Sequence, residues 1–321
     1  MIKNIVAVVI NFNSAQYIFD CIESLLKQTI KPIIVVVDNN SSDGSEERLS
    51  TLANQGKIHH IYLDKNIGSS AANNLGISKY EADAYLIINA DIILDDNYVA
   101  GCVNELNKNY ETGAVAGKLL NYYRRDIIDG CGVDLCYEGI PIERGHGQNE
   151  SHPAYKFRTV VFSVCCAAAL YRSTALKVTR INGQCFDEQY FAFYEDLDLS
   201  CRLNLKGYDN VYIPNVVAYH VRGGSTKKQS DFVQYLCIKN SDIFYYRYLS
   251  PIFKYKLMRV LQLIHRLFIY DWKMLIKVRS EIDKKNLEQL DLALLSGVMD
   301  RFVNKSYYIY KIKSFFTLVL N

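Results

Sequence analysis

The sequence lacks the features that mark exported or membrane-spanning chains. No segment reaches the roughly 18 to 20 uninterrupted apolar residues that a membrane-spanning helix needs, and the apolar stretch from Ile5 is too short for a signal peptide. None of the nine cysteines forms a Cys-x-x-Cys pair, so we expect free, buried thiols in a reducing compartment. These absences predict a cytoplasmic protein whose only membrane contact would be peripheral.

Charge balance and loop composition argue against a nucleic-acid-binding protein and against a dinucleotide-binding dehydrogenase. The formal net charge is only +3 over 321 residues, which gives nucleic-acid binding no support. The small-residue run at 66–76 is not a Gly-x-Gly-x-x-Gly loop, so a dinucleotide-binding dehydrogenase loses its main support. We expect no nucleic acid among the partners.

What the first hundred residues do contain is a regular alternation of apolar strands and helical patterns. This alternation is the signature of βαβ units around a mainly parallel sheet, and it predicts an α/β fold class. Helices are predicted at 15–28, 46–54 and 95–109. Strands are predicted at 5–10, 33–37, 58–63 and 86–89, and a further buried apolar run is expected at 160–170.

The character of the chain changes near Lys228. A chain of 321 residues is long for one core, and beyond Ser230 the alternation gives way to helical patterns at 231–249, 252–282 and 287–303. We therefore expect a sheet-containing domain at 1–228 and a helical C-terminal region at 229–321.

An Asn-x-Asp pair follows the apolar strand at 86–89. Asn89 and Asp91 flank a small residue, so their oxygens can turn toward one ion or its water shell, and such oxygens suit Mg²⁺ or Mn²⁺. Taken alone, the pair would more simply be a turn or helix cap.

A second acidic cluster lies among aromatic residues. Glu195, Asp196 and Asp198 follow Phe193 and Tyr194, whose rings would exclude water and raise a carboxyl pKa toward neutrality. An acidic helix start is the structural alternative, because carboxylates favour the positive end of a helix, and for Asp198 we expect it, with Arg202 as partner. His220 closes the next apolar strand region.

Together these segments resemble family 2 glycosyltransferases of the GT-A fold, in the bacterial rhamnosyltransferase-like branch. Asn89-Ala90-Asp91 stands where the family has Asp-x-Asp or Asn-Pro-Asp, and Glu195-Asp196-Leu197-Asp198-Leu199 matches its Glu-Asp-x-Asp-Leu signature. The run from Asn66 through Gly68 and Asn74 to Gly76 matches the family's Asn-x-Gly-x-x-x-Ala-x-Asn-x-Gly pattern. The resemblance covers about residues 1–250.

The resemblance implies a role for each matched residue. Asp196 would be the catalytic base, and Asp91 and His220 would bind a divalent cation, Mg²⁺ or Mn²⁺. The donor or acceptor would be bound by polar residues at the strand ends and in the two motifs: Asn11, Asn13, Asp38, Asn66, Gly68, Asn74, Asn89 and Glu195.

The function implied is an inverting hexosyltransferase or rhamnosyltransferase. It would transfer a sugar from a UDP- or dTDP-sugar to a glycan acceptor, which a lipid could carry, in the synthesis of a bacterial O-antigen or capsule. A sugar-nucleotide nucleotidyltransferase is one alternative, although 11–14 lack its Gly-rich, basic phosphate loop. A nucleotide-sugar-binding protein without turnover is the other.

The C-terminal region interleaves basic residues with aromatic and apolar ones. Lys254, Lys256, Arg259 and Arg266 lie in this pattern, which suits an anionic membrane surface at the inner face of the cell membrane. Packing on the first domain or against a second subunit of a homo-oligomer explains the apolar residues equally well.

Overall fold

The computed structural model describes residues 1–221, 231–282, 292–303 and 307. Its contacts divide the chain into two compact units. The first contains Met1–Val133 and Glu143–Lys228, and the second contains Asp134–Ile142 and Gln229–Asn321. The short segment 134–142 therefore belongs with the C-terminal unit, which the sequence did not predict.

A ten-stranded mixed sheet forms the centre of the first unit. Its strand order is β10-β12-β6-β11-β4-β1-β2-β3, with β5 paired to β12 and β7 paired to β6, and β8 pairs separately with β9. The strands are β1 (Ile5–Asn11), β2 (Ile33–Asp38), β3 (His59–Tyr62), β4 (Ala84–Asn89), β5 (Ile92–Leu94), β6 (Thr112–Asn121), β7 (Ile128–Gly130), β8 (Val133–Leu135), β9 (Pro141–Glu143), β10 (Thr159–Val161), β11 (Ala168–Arg172) and β12 (Asp209–His220).

Strands β4, β1, β2 and β3 run parallel, as the sequence pattern predicted. Strand β11 enters antiparallel between β4 and β6, and β12 is parallel to β6. The α/β fold class and its mainly parallel N-terminal half are therefore confirmed.

Helices cover both faces of this sheet because its central strands are apolar on both sides. Ile5, Ala7 and Val9 of β1 belong to one buried cluster, and Val6 and Val8 belong to the other. The helices of this unit are α1 (Ile18–Leu26), α2 (Ser45–Asn54), α3 (Gly68–Ser78), α4 (Tyr98–Lys108), α5 (Ser173–Val178) and α6 (Glu195–Leu205), with a 3₁₀ turn at Pro153–Tyr155.

The apolar run at 160–170 contributes to two strands, β10 and β11. The structure places β10 beside β12 and β11 between β6 and β4, so the two halves of this apolar run occupy positions that are not adjacent in the sheet. The intervening residues 162–167 connect them and pass beside α6, where Ser163 Oγ lies 2.9 Å from Ser200 Oγ. A continuous apolar run cannot by itself reveal such a crossing.

Helices make up most of the described part of the second unit. They are α7 (Asp231–Phe244), α8 (Phe253–Ile269), α9 (Trp272–Glu281) and α10 (Leu292–Phe302), and a π-helical turn spans Tyr245–Leu249. The predicted helix over 252–282 is thus two helices, and the first residues of the one predicted from 287 lie outside the described residues. Among the described residues, no helix is long and apolar enough to cross a membrane.

Helix α8 buries a row of polar side chains and exposes a row of apolar ones. Arg259, Gln262 and Arg266 are buried, and both arginines donate to the carboxylate of Asp242 on α7. Four apolar residues at i, i+3, i+4 and i+7 spacing are instead exposed, and we call them the α8 stripe: Val260, Leu263, Ile264 and Leu267. The expectation that Arg259 and Arg266 face a membrane is therefore wrong, because both are committed to a buried ion pair.

Candidate active site

Polar residues meet at one edge of the sheet, where β1, β2 and β4 end. In the strand register Asn11 lies opposite Asp38, and Ile10 lies opposite Asn89. Ligands of open α/β sheets bind outside the carboxyl ends of the strands. This edge is therefore where the fold would bind a ligand, and several predicted site residues lie there.

Asn11 and Asp38 form a buried network at this edge. Asp38 Oδ2 accepts from Asn11 Nδ2 at 2.7 Å, and Asp38 Oδ1 accepts from the backbone N–H of Ser41 at 2.7 Å. Both residues are fully buried, so the contacts in the structure fix the loop at 39–45. Asn13 is exposed, with its Oδ1 accepting from the backbone N–H of Ser42 at 2.8 Å. Direct contact of these residues with a nucleotide stays a prediction.

The small-residue run holds the acidic motif. Gly68 has a φ of +85°, and a Cβ there would lie 2.3 Å from the backbone oxygen of Phe191, so only glycine allows this approach. Asn66 Oδ1 accepts from the backbone N–H of Gly68 at 2.9 Å. Asn74 donates to the backbone oxygen of Phe186 at 2.8 Å and accepts from its N–H at 2.9 Å. These residues thus position the acidic loop 186–194, and their predicted contact with a nucleotide is untested.

Two consecutive residues before helix α6 adopt left-handed backbone conformations. Phe193 has a φ of 68° and Tyr194 a φ of 70°, values that cost non-glycine residues free energy and often occur at functional sites. Glu195 and Asp196 follow at once as the first two residues of α6. The sequence could not reveal this strain, because no glycine marks it.

Glu195 is a buried carboxyl group. Its Oε1 accepts from Ser69 Oγ at 2.6 Å, and its Oε2 is buried without a hydrogen-bond partner. Burial and the neighbouring Asp196 raise the pKa of Glu195 to about 7. A carboxyl with one unsatisfied oxygen is costly when ionised, which is consistent with that direction.

Asp196 is partly exposed and held by backbone donors. Its Oδ1 accepts from the N–H of Leu197 at 2.8 Å, and the backbone of Cys166 provides a further hydrogen bond. Desolvation outweighs these donors and raises the pKa of Asp196 to about 6. Cys166 precedes Ala167, whose backbone oxygen accepts from the N–H of Asn89 at 3.0 Å. Asp196 is therefore joined to the end of β4 through two backbone contacts.

Asp198 has the structural role expected of it. Its Oδ2 accepts from Arg202 Nε at 2.9 Å, and both side chains are buried. Arg202 also donates to the backbone oxygens of Thr179 and Cys185. This ion pair ties α6 to the segment before the acidic loop.

Asp91 and His220 come together at the ends of β4 and β12. His220 pairs with Ile92 in the β12–β5 register, and His220 Nε2 lies 3.5 Å from Asp91 Oδ1. A third residue that the sequence did not indicate, Asp129 of β7, accepts from His220 Nδ1 at 2.7 Å. Burial disfavours the imidazolium, but the two carboxylates outweigh it and raise the pKa of His220 to about 9.

The donor set at Asp91 and His220 fits a hard divalent cation. Adjacent ligands of an octahedral ion with bonds of about 2.1 Å lie about 3.0 Å apart, close to the 3.5 Å that separates Asp91 Oδ1 from His220 Nε2. No group of three or more His, Cys, Asp or Glu side chains suited to a metal occurs among the described residues. Such an ion would therefore depend on ligands from water or substrate, as Mg²⁺ commonly does.

Known glycosyltransferases resemble this chain in sequence. The family model described as "Glycosyl transferase family 2" matches residues 6–178, a span that stops before the acidic motif and His220. The glycosyltransferase GlyG of Streptococcus pneumoniae serotype 4 is 27% identical over 186 residues, which are 56% of this chain and 60% of that protein. An uncharacterized glycosyltransferase of Rickettsia conorii is 29% identical over 194 residues. The chain covers only 31% of that second protein.

Solved structures share the fold at low sequence identity. The structure titled "GalNAc-T7 with UDP, GalNAc and Mn2+" matches with a TM-score of 0.65 and 13% identity, over 98% of this chain and 58% of that one. Staphylococcus aureus TarS matches with a TM-score of 0.53 and 15% identity, over 84% of this chain and 44% of that one. These likenesses confirm the predicted GT-A fold.

Proposed function

We propose a donor, a base and a metal site for this chain, which belongs to glycosyl transferase family 2. It transfers a hexosyl or rhamnosyl group from a UDP- or dTDP-sugar to a hydroxyl of a glycan acceptor, with inversion at the anomeric carbon. The acceptor oxygen forms a bond to the anomeric carbon while the bond to the nucleoside diphosphate breaks. The hydroxyl proton passes to Asp196.

The exposure and the raised pKa of Asp196 are the observations that support this proposal most directly. A general base must be ionised at the working pH and must reach its substrate, and a pKa near that pH makes it efficient. Asp196 is partly exposed, and its pKa is raised to about 6, so the carboxylate is the main form near pH 7 and is a stronger base than an ordinary aspartate. Glu195, more deeply buried beside it, would hold the sugar or the base in place.

Asp91 and His220 are the residues that would hold Mg²⁺ or Mn²⁺. When bound, the ion would neutralise charge on the departing diphosphate. One solved structure with the same fold is that of GalNAc-T7 with UDP, GalNAc and Mn²⁺. It supports UDP as the nucleotide of the donor and Mn²⁺ as the cation. Asn89, exposed at the end of β4, lies beside this pair and would contact the donor.

The exposure of the predicted donor-binding residues separates those that would contact the donor from those that would act through the loops. We assign direct donor contact to Asn13 and Asn89, whose side chains are exposed. Asn11 and Asp38 would act by shaping the loop 39–45, because Asp38 and the Nδ2 of Asn11 bind one another and that loop. The other three would act by placing the acidic loop: Asn66, Gly68 and Asn74.

The biological setting proposed is the synthesis of a bacterial surface polysaccharide, either O-antigen or capsule. Named bacterial glycosyltransferases among its relatives support a bacterial glycan as product. A lipid-linked acceptor at the inner face of the cell membrane would account for the α8 stripe, with exposed Lys256 at one end of that helix face and exposed Lys273 and Lys277 on α9. A second subunit is the alternative partner for this surface.

A donor panel tests the function. Purified protein is incubated with UDP-, dTDP- and GDP-sugars and Mn²⁺, and release of nucleoside diphosphate is measured for wild type and Asp196→Asn. We expect release from a UDP- or dTDP-sugar that falls by about 10² to 10⁴ in the variant, since the amide cannot take the proton. Donor binding without release by the wild type would favour a nucleotide-sugar-binding protein without turnover. Turnover by Asp196→Asn within about tenfold of wild type would remove Asp196 as the base.

A further inference from the structure

Asp129 lies behind the imidazole of His220. Its Oδ2 accepts from His220 Nδ1 at 2.7 Å, and both side chains are buried. The two ring nitrogens point to opposite sides of the imidazole, so Asp129 lies away from Asp91, which is 3.5 Å from Nε2. The second oxygen, Asp129 Oδ1, lies 3.8 Å from His146 Nδ1.

A β-bulge places Asp129 at this point. Strand β7 pairs antiparallel with β6 through Leu119 with Gly130 and Leu120 with Ile128, with a register shift between the two pairs. Asp129 is therefore the extra residue that the register shift adds to β7. Bulges redirect a side chain next to a functional site. On its other edge, β6 pairs with β12 and holds His220 opposite Asn121.

We propose that Asp129 is a positioning residue of the metal site, and this inference rests on the cation binding proposed above. By accepting the Nδ1–H, Asp129 fixes the rotation of the ring, with Nε2 on the side of Asp91, and keeps the ring proton on Nδ1 when a cation is bound. A metal-ligating histidine commonly donates its other ring N–H to a carboxylate, and loss of that carboxylate typically weakens metal binding by about 10- to 100-fold. Asp129 does not itself contact the ion, because Nδ1 separates it from the Nε2 side.

The test is Mn²⁺ binding in the presence of UDP, followed through the electron paramagnetic resonance signal of free Mn²⁺. Asp129→Asn keeps the shape of the side chain but offers an N–H to Nδ1 as readily as an oxygen, so it no longer selects the tautomer. We expect its Mn²⁺ affinity to fall by about 10- to 100-fold. Asp126→Asn is the matched control, since Asp126 lies three residues earlier and is exposed, and its affinity should equal that of wild type.

A double-mutant cycle separates positioning from a merely structural role. If Asp129 acts through His220, Asp129→Asn should not lower the Mn²⁺ affinity further in a His220→Ala background, whereas independent effects would multiply. Circular dichroism establishes that each variant is folded. If Asp129→Asn does not fold, Asp129→Ser takes its place in the same cycle, with the same expected loss.

Three results would overturn the inference. Equal Mn²⁺ affinity of folded Asp129→Asn and wild type would show that the ring needs no such support. A further loss of affinity in the His220→Ala background would show that Asp129 acts elsewhere. Absence of Mn²⁺ binding by the wild type with UDP would remove the proposed metal site together with this inference, a failure distinguishable from the first two.

Discussion

Replacement of Gly68 by alanine tests whether the close approach of helix α3 to the acidic loop supports activity. Gly68 has a φ of +85°, and an added Cβ would lie 2.3 Å from the backbone oxygen of Phe191. The same oxygen accepts from the backbone N–H of Ser69 at 2.7 Å. Glu195 and Asp196 follow Phe191 within five residues, so movement at Phe191 would move the start of α6.

The size of the effect follows from this geometry. An ordinary van der Waals contact is about 3.5 Å, so the loop would have to retreat by about 1 Å from the added methyl group. The left-handed backbone costs alanine about 1–2 kcal/mol, and weakening the Ser69 hydrogen bond costs about 0.5–1.5 kcal/mol more. A misplacement of about 1 Å at a reacting group can cost about 10²-fold in rate.

The matched control is Gly56→Ala. Gly56 has a φ of +69° with nothing within 4 Å of an added Cβ. Alanine at this position therefore has the free-energy cost of a left-handed backbone but no steric clash. Urea unfolding should show a loss of about 1–2 kcal/mol for Gly56→Ala and a larger loss for Gly68→Ala. Sugar transfer, measured as kcat/KM, should fall about 10²-fold for Gly68→Ala alone. Activity of Gly68→Ala within threefold of the control would refute the positioning role.

Three further predictions concern the base, the metal and the C-terminal surface. The proposed base Asp196 must be ionised to act, and its pKa is raised to about 6. We therefore expect kcat/KM to fall about tenfold per pH unit below pH 6 and to level off above it; a profile flat from pH 5 to 8 would contradict this. Asp91→Ala and His220→Ala should each weaken Mn²⁺-dependent UDP binding, and their combined effect should be less than additive because both are proposed ligands of one ion; unchanged wild-type transfer in EDTA would oppose a metal role for either. Replacing Leu263 and Leu267 of the α8 stripe by Gln should reduce flotation with anionic vesicles at low salt; a wild type that does not float would favour a protein partner for the stripe.

The strands of the N-terminal half could be predicted from the sequence because each has a single pattern. The apolar runs at 5–10 and 33–37 became β1 and β2 with only their last residue added. Strands buried on both faces leave such continuous runs. Polar residues directly after them had to lie at the shared carboxyl edge, so the sequence could place a candidate site there.

What the sequence could not predict depends on contacts between distant segments. Asp129 lies in a three-residue strand within an irregular stretch, and only the bulge against β6 brings it to a histidine 91 residues away. The burial of Arg259 and Arg266 likewise depends on Asp242 of another helix. In the sequence those arginines resemble the basic face of a membrane-binding helix, and no local pattern distinguishes the two cases.

The role that a carboxylate can have in the candidate site depends on its hydrogen-bond partners and its exposure. Asp38 has both oxygens bound by protein donors and is fully buried, so direct ligand contact would require the loop 39–45 to open. Asp196 keeps part of its surface exposed, which a base needs. Asp91 lies 3.5 Å from an imidazole nitrogen, an ion-pair distance that would also suit a cation bound by both side chains. The surroundings of these three acids thus support the three roles proposed for them: scaffold for Asp38, base for Asp196 and metal ligand for Asp91.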